Sequence, residues 1–172
     1  ISSDGSIFAV GGWGYSSNKG VVRVYQRDTS NTSVGWSQIG SDIQGGTTGE
    51  FFGEHVHISS DGTIVAVGAY QNDENGNNAG VVRVYQRDTS NTSVGWSQLG
   101  SNIYGQLEGE YFGKGVCLSS DGTILAVGGP YSNVVRVYQR DISNTTIAPI
   151  GWTQLGVDIS GDLYMAGELN LT

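Results

Sequence analysis

Residues 59–68 read Ser-Ser-Asp-Gly-Thr-Ile-Val-Ala-Val-Gly, a polar turn followed at once by a short apolar run. Asp-Gly between two runs of apolar residues favours a tight turn that joins two β-strands. The Ser-Ser-Asp-Gly turn also occurs at residues 2–5 and 119–122, each time before a comparable apolar run. This stretch therefore predicts the same strand–turn–strand unit at three places in the chain.

Two other motifs repeat in step with the turn. Val22–Asp28 recurs at residues 82–88 and 135–141, and a Gly-Trp pair follows each copy. Residues 20–38 are identical to residues 80–98. Identity over such a length indicates tandem duplication of one structural unit.

The third copy shows the predicted strands of one unit. They are expected at residues 115–119, 123–127, 134–139 and 151–155. Four antiparallel strands in a period of about 57 residues describe one blade of a β-propeller. A single sheet cannot bury two apolar faces by itself, so repeated sheets must stack on one another.

The fold class is therefore expected to be all-β, with three tandem four-stranded antiparallel propeller blades. The predicted repeats span residues 1–57, with an incomplete first strand, 58–117 and 118–172. Propellers typically have four to eight blades. We therefore expect a piece of a longer multi-blade protein; the alternative is an assembly that completes rings or arrays from several chains.

A Phe-Gly pair precedes a glycine-containing triplet in two of the repeats: Phe112-Gly113 precedes Gly128-Gly129-Pro130, and Phe52-Gly53 precedes Gly68-Ala69-Tyr70. These motifs resemble the FG-GAP family, the repeat of integrin α-chain propellers. The resemblance implies propeller blades. Many family members also have a calcium loop between the first two strands, but here that loop is only Ser-Ser-Asp-Gly, so this calcium site is not carried over. The apolar run and the Val-Arg-Val-Tyr strand are also similar to WD40 repeats.

Composition narrows the possible partners. The 172 residues carry a net charge of −8 and include 28 glycines. An acidic chain is a poor partner for nucleic acid, which requires a basic surface. Cys117 is the only cysteine, so an internal disulfide is impossible. The apolar runs are too short for a membrane-spanning helix, and no membrane insertion is expected in this segment.

Sequons for N-glycosylation recur in register. Asn31, Asn91 and Asn144 each begin an Asn-x-Ser/Thr triplet in the same loop of successive repeats, and Asn170 begins a fourth. Such triplets are acceptors for N-glycans in secreted proteins. We expect these asparagines to be glycosylated in an extracellular or cell-surface protein. The alternative is a polar turn, which these residue types also favour.

Metal binding has two weak candidates. Asp73, Asn75 and Asn77 form an Asp-x-Asn-x-Asn pattern that is loosely similar to a calcium loop, although a solvated hairpin loop is favoured. His55 and His57 share one face of a strand, but the sequence shows no third ligand nearby. No bound cofactor is expected, and Ca²⁺ remains an open alternative.

Residues that repeat in every copy are expected to form the framework. The arginines and the tryptophans recur in all three repeats: Arg23, Arg83 and Arg136; Arg27, Arg87 and Arg140; Trp36, Trp96 and Trp152. Ion pairs between blades and packing anchors are the predicted roles, because a ligand site would more often be unique to one blade. Asp42 and Glu50 could act as a pair of catalytic carboxylates, but nothing in the sequence brings them together.

These patterns predict a non-enzymatic, extracellular, glycosylated propeller that serves as a structural or adhesion surface. Its expected partners are a protein or glycan ligand, or further blades or copies in a wall, matrix or filament. Two alternatives stay open. One is the scaffold of an extracellular enzyme whose active site lies outside this segment, and the other is an intracellular WD40-like scaffold.

Overall fold

A computed structural model of the protein describes residues 1–28, 35–88, 95–142 and 151–161. Apart from one short helical turn, the regular structure of these residues consists of β-strands in three separate antiparallel sheets. Within these ranges, no helix is long and apolar enough to cross a membrane. The expected all-β fold is therefore confirmed.

The strands follow one another in the same order in each sheet. The first sheet contains β1 (Ile7–Gly11), β2 (Val21–Arg27), β3 (Trp36–Gln38) and β4 (Ile43–Gln44); the second contains β5 (Val56–Ile58), β6 (Ile64–Ala69), β7 (Val81–Arg87), β8 (Trp96–Gln98) and β9 (Ile103–Tyr104); the third contains β10 (Gly115–Leu118), β11 (Ile124–Gly129), β12 (Val134–Arg140), β13 (Trp152–Gln154) and β14 (Ile159–Ser160). The helical turn α1 (Tyr15–Asn18) lies between β1 and β2.

Each complete sheet is a meander whose last strand is interrupted. In the second sheet, β5, β6, β7 and β8 are neighbours in that order, and β9 pairs with β7 beyond the end of β8. The third sheet has the same topology, whereas the first sheet begins at the strand equivalent to β6. The second and third sheets therefore start at β5 and β10. Each start is one strand earlier than the repeat boundary that the sequence predicts, at residue 58 or 118.

The Ser-x-Asp-Gly turn is held by its own side chains. In the second sheet, Ser59 Oγ donates to Asp61 Oδ1 at 2.6 Å, and the backbone N–H of Thr63 donates to the same oxygen at 3.0 Å. The Ile64 N–H then donates to Ser59 Oγ at 3.0 Å. The carboxylate therefore closes the turn, and equivalent bonds form around Asp4 and Asp121.

Successive turns are also bonded to one another. The Ser3 N–H donates to the Ser60 carbonyl, and the Ser60 N–H donates to the Ser120 carbonyl, both at 2.9 Å. Gly62 lies against Ile7 of the preceding sheet so closely that a Cβ at this position would come within 2.6 Å of Ile7 Cδ1. The turn therefore needs a glycine for contact with its neighbour as well as for its backbone conformation.

The hydrophobic core lies between the sheets. We call the face that packs on the preceding sheet the leading face, and the opposite one the trailing face. Val65 and Val67 of β6 pack in the core shared with the first sheet, whereas Ile64 and Ala66 of the same strand pack in the core shared with the third. All six residues of β6 are buried, which explains why the run is apolar on both faces.

Tryptophan side chains join neighbouring sheets. The Trp96 indole N–H donates to the Ile39 carbonyl, and the Trp152 indole N–H donates to the Leu99 carbonyl, both at 3.1 Å. Each tryptophan lies on the leading face of its sheet and contacts the residue that follows β3 or β8 of the preceding sheet. The predicted role of the repeated tryptophans as packing anchors is confirmed at these two junctions.

The turn carboxylates predict a specific dependence of stability on pH. Hydrogen bonds from Ser119 and Thr123 lower the pKa of Asp121 from 3.8 to about 2. A lowered pKa in the folded state stabilises the protein above the unfolded value, and this stabilisation is lost as the pH falls towards 2. Urea unfolding should therefore show that Asp121→Asn is more destabilising at pH 5 than at pH 2. An equal cost at both pH values would contradict the role of the carboxylate.

Candidate functional site

The two ends of the sheets have different chemistry. The Ser-x-Asp-Gly turns lie at one end of the sheets. Asp28 and Gly35, which flank the loop between β2 and β3, lie at the same end. We call this the turn end. The opposite end holds the residues that follow β1, β6 and β11, and the Phe-Gly segments that lead into the next sheet. Many of these residues are aromatic, so we call it the aromatic end.

Five aromatic side chains form a continuous row across the aromatic end. Their ring centroids are separated in turn by 5.5, 5.6, 6.0 and 5.0 Å, in the order Trp13, Phe51, Tyr70, Tyr111 and Tyr131. Trp13, Tyr70 and Tyr131 follow β1, β6 and β11, and they alternate in the row with Phe51 and Tyr111 from the segments between sheets. The aromatic row therefore links all three sheets.

The connecting segments adopt an unusual backbone conformation that presents these rings. Phe51 and Tyr111 have φ angles of 55° and 53°, a left-handed conformation that bulky residues seldom adopt. Their backbone N–H groups donate to the carbonyls of Asn18 and Asn78, at 3.0 and 2.9 Å, respectively. Strain of this kind persists only where the surrounding structure imposes it, and here it places each ring in the aromatic row.

The Phe-Gly motif is explained by packing of Phe52 and Gly53 against the first sheet. Gly53 has a φ of 88°, and a Cβ at this position would come within 2.9 Å of the Val21 carbonyl oxygen. Phe52, which precedes it, is completely buried and forms an isolated parallel bridge with Gly20. The motif therefore combines a core side chain with a close approach of two backbones.

A buried ion pair lies beneath the aromatic row at each junction. The Arg83 guanidinium donates to both carboxylate oxygens of Glu50, at 2.9 and 3.1 Å, and Asn72 Nδ2 donates to Glu50 at 2.6 Å. The Glu50 side chain is fully buried, and that of Arg83 is 7% exposed. Glu110 and Arg136 form the equivalent pair. The predicted framework role of these arginines is therefore confirmed.

The ion pair keeps both of its members charged. Burial raises the pKa of Glu50, but the hydrogen bonds and the charge of Arg83 outweigh burial and lower it overall. Burial has the opposite effect on Arg83, whose pKa is nevertheless raised by Glu50. The first sheet has a more exposed pair, in which Arg23 Nη2 lies 2.9 Å from Asp42 Oδ2. Asp42 and Glu50 thus each bind their own arginine instead of forming a catalytic pair.

Polar residues that do not repeat cluster beside the middle of the aromatic row. Lys114 Nζ lies 4.6 Å from the centroid of the Tyr70 ring. Burial and a hydrogen bond to Glu54 raise the pKa of Tyr70 to about 12. Glu54 and Lys114 both follow a Phe-Gly pair, so equivalent positions in successive sheets carry opposite charges. Burial also lowers the pKa of His55, the neighbour of Glu54.

The second histidine of the strand faces a neighbouring sheet. The Leu118 N–H donates to His57 Nδ1 at 3.2 Å, and Cys117 Sγ lies 3.9 Å from His57 Nε2. These contacts tie β5 to β10. These contacts give His57 a packing role between two sheets. Across the ranges that the structure describes, no group of three or more His, Cys, Asp and Glu side chains could hold a metal ion.

The calcium-like loop of the second sheet is organised by hydrogen bonds. Asp73 Oδ1 accepts a bond from the Asn78 N–H at 2.7 Å, and Asn75 Nδ2 donates to the Gly105 carbonyl at 2.7 Å. Asn77 Oδ1 accepts a bond from Asn78 Nδ2. These bonds are those of a hairpin loop attached to the next connecting segment. Calcium binding by Asp73, Asn75 and Asn77 stays an untested alternative to the favoured hairpin loop.

All four predicted glycosylation sites, Asn31, Asn91, Asn144 and Asn170, lie outside the described residues. The first three follow Asp28, Asp88 and Asp141 in the sequence. Their glycosylation stays a prediction.

Comparison with known structures supports the fold. The structure of a candidate 6-phosphogluconolactonase from Bacteroides fragilis superposes with a TM-score of 0.60 at 18% identity, over 94% of this chain and 38% of that protein. A second one, from Bacteroides uniformis, gives a TM-score of 0.60 at 17% identity, over 94% and 39% of the two chains. This chain thus spans about two fifths of either structure. At such identities the likeness shows the fold alone, a stack of β-propeller-type blades.

The sequence match is more specific. Residues 44–85 match the family model of the FG-GAP repeat, the family that the motifs resemble. The match covers the segment from the end of the first sheet through β7, including the Phe-Gly pair at residues 52–53. No curated protein sequence matches the chain significantly.

Two substitutions around Arg83 test the buried ion pair. Glu50→Ala leaves the buried guanidinium without its main partner and should lower the free energy of unfolding by about 3–5 kcal/mol. Glu74 lies 3.6 Å from the same arginine, but its side chain is 38% exposed. Glu74→Ala should therefore cost at most about 1 kcal/mol. Urea unfolding of both variants measures this difference, and equal costs would refute the framework role of Glu50.

Proposed function

We propose that this chain is part of an extracellular binding module that carries N-glycans at its recurring sequons and binds a glycan or protein ligand at the aromatic end. The observation that carries the proposal is the pair Glu54 and Lys114 around Tyr70, with His55 next to Glu54. It is the place where polar side chains unique to one sheet lie next to the aromatic row.

Differences between repeats support this location. Arginines, tryptophans and turn aspartates recur in each sheet. The tryptophans and the buried arginines bond to neighbouring sheets or connecting segments, and the aspartates close their own turns. Glu54 and Lys114 have equivalent positions but opposite charges, so they are not required by the repeated packing. A carboxylate, an ammonium group and an imidazole beside aromatic rings provide polar contacts next to apolar surface, as binding sites commonly do.

The positions of the sequons support the extracellular part of the proposal. Three of them recur in the same loop, and the third persists although the sequence around it has diverged. A wall, matrix or filament protein built of near-identical repeats would present the same surface many times.

Protein purified from its natural source tests the glycosylation. Intact-mass spectra before and after treatment with a peptide N-glycosidase should differ by the mass of the released glycans. Peptide mapping should then assign them to Asn31, Asn91 and Asn144. Unmodified asparagines in the native protein would contradict the extracellular assignment and favour the intracellular WD40-like scaffold.

A glycan array tests the binding site with a matched pair of substitutions. Lys114→Ala should weaken binding of any oligosaccharide that the wild-type chain retains by about ten-fold, the effect of losing roughly 1.4 kcal/mol. Arg27→Ala removes the same charge at the turn end and should leave binding unchanged. Equal losses in both variants would contradict the location of the site. If the wild-type chain binds a protein but no oligosaccharide, the same two variants test whether that protein binds at the aromatic end.

A further inference from the structure

Three tyrosines follow one another in the aromatic row. The ring centroids of Tyr70 and Tyr111 are 6.0 Å apart, and those of Tyr111 and Tyr131 are 5.0 Å apart. On the other side of Tyr70, the row continues with Phe51 and Trp13, which carry no phenol. Within the described ranges, phenol rings therefore contact one another only in this part of the row, next to the junction between the second and third sheets.

The rings of Tyr111 and Tyr131 have the geometry of a pair that can be joined covalently. Their centroid separation of 5.0 Å lies in the range of aromatic rings in contact. Their planes are inclined by 56°, as in a twisted biphenyl, so that the edge of one ring can meet the edge of the other. Rotation of the side chains about their own bonds can therefore bring the ring carbons next to the two hydroxyl groups together.

The backbone brings these two tyrosines together at the open end of one hairpin. Tyr111 precedes β10 and Tyr131 follows β11, and the two strands are antiparallel. Gly129 packs so closely on the segment before β10 that a Cβ at this position would overlap the carbonyl oxygen of Glu110. The left-handed backbone of Tyr111 then places its ring in the aromatic row. The contact between the rings is therefore a property of the folded hairpin.

We propose that Tyr111 and Tyr131 are a modification site, at which a haem peroxidase acting with hydrogen peroxide joins the two rings by a dityrosine bond. Each phenol loses one electron and its hydroxyl proton, and the two radicals form a carbon–carbon bond between the ring positions next to the oxygens. The hydrogen on each joined carbon then moves to the oxygen, which restores both phenols. Hydrogen peroxide takes up the two electrons and two protons and becomes two water molecules. This cross-link is independent of the ligand and the glycans proposed above.

Tyr70, the third tyrosine of the row, is less suited to coupling. Its ring centroid is 6.0 Å from that of Tyr111, and the two planes are inclined by 32°. The Lys114 ammonium lies 4.6 Å from the centroid of the Tyr70 ring, and a nearby positive charge opposes the removal of an electron from that ring. Tyr70 is also only 7% exposed, and its hydroxyl is hydrogen-bonded to Glu54. Tyr111 therefore couples with Tyr131.

The bond would close the β10–β11 hairpin at both of its ends. The turn around Asp121 connects the strands at one end, and the dityrosine connects them at the other. A covalent cross-link stabilises a fold mainly because it restricts the unfolded chain, as a disulfide does. We therefore expect the oxidised chain to unfold at a higher urea concentration than the unmodified chain.

Oxidation of the 172-residue chain with a haem peroxidase and hydrogen peroxide tests the proposal. The intact mass should fall by two hydrogen atoms, with no second chain attached. Trypsin cleaves the unmodified chain into peptides that include residues 88–114 and 115–136. After oxidation these two peptides should stay joined and show the blue fluorescence of dityrosine. Fragmentation in the mass spectrometer should place the link at Tyr111 and Tyr131, and the urea midpoint should rise.

Two conservative substitutions provide matched controls. Tyr111→Phe keeps the ring but removes the phenol, so it should abolish the link. Tyr104→Phe removes the other tyrosine of the same tryptic peptide and should leave the link intact. The wild-type chain oxidised in urea should lose most of the link, because the unfolded hairpin no longer holds the rings together. Free tyrosine oxidised in the same urea solution verifies that the peroxidase is active.

Four results would overturn the proposal. They are a wild-type chain without the link, a link at other tyrosines or between chains only, a link that persists in Tyr111→Phe, and an equal yield in urea.

Discussion

Packing of one sheet face against the next is the interaction on which the rest of the structure depends. The β6 strand is buried along its whole length because the first sheet covers one of its faces and the third sheet covers the other. A single sheet would expose half of these side chains to water. Burial of a valine or leucine side chain is worth about 1.5–3 kcal/mol, so each sheet depends on its neighbours. This dependence explains why apolar residues recur on both faces of the strands in successive repeats.

The contacts between sheets fix their register at both ends. At the turn end, serine backbone groups and a glycine bring one turn directly onto the next. At the aromatic end, a buried glutamate–arginine pair holds the connecting segment, and the aromatic row crosses from sheet to sheet above it. Since repeated residues supply these contacts, the positions that differ between repeats can change without loss of the fold. Glu54 and Lys114 are such positions, and for this reason we assign the ligand site to them.

Much of this fold can be predicted from local sequence. Asp-Gly turns, short β-branched runs and a repeat in register were sufficient for the strands, because turn chemistry and burial act within a few residues. The tryptophan and arginine framework could be expected because those residues recur in all copies.

The site was harder to predict because it depends on tertiary contacts. Glu50 and Arg83 are 33 residues apart, and nothing local indicates that they meet. The aromatic row draws its rings from strand ends and connecting segments, with Phe51 and Tyr111 in a backbone conformation that their residue types disfavour. Aromatic residues after β1, β6 and β11 and directly before each Phe-Gly pair were a signal that could have indicated the row. A charge reversal at one repeated position, from Glu54 to Lys114, likewise marked the candidate site in the sequence.

The dependence of each sheet on its neighbours can be measured most directly on the middle sheet alone. A peptide of residues 45–105 contains all strands of the second sheet, its Phe-Gly segment and its buried arginine. Circular dichroism and amide chemical-shift dispersion of this peptide, compared with the 172-residue chain, report whether it folds. Our account predicts that the isolated peptide is unfolded or aggregated, since both of its apolar faces lack a partner. A monomeric peptide with a cooperative unfolding transition would contradict it.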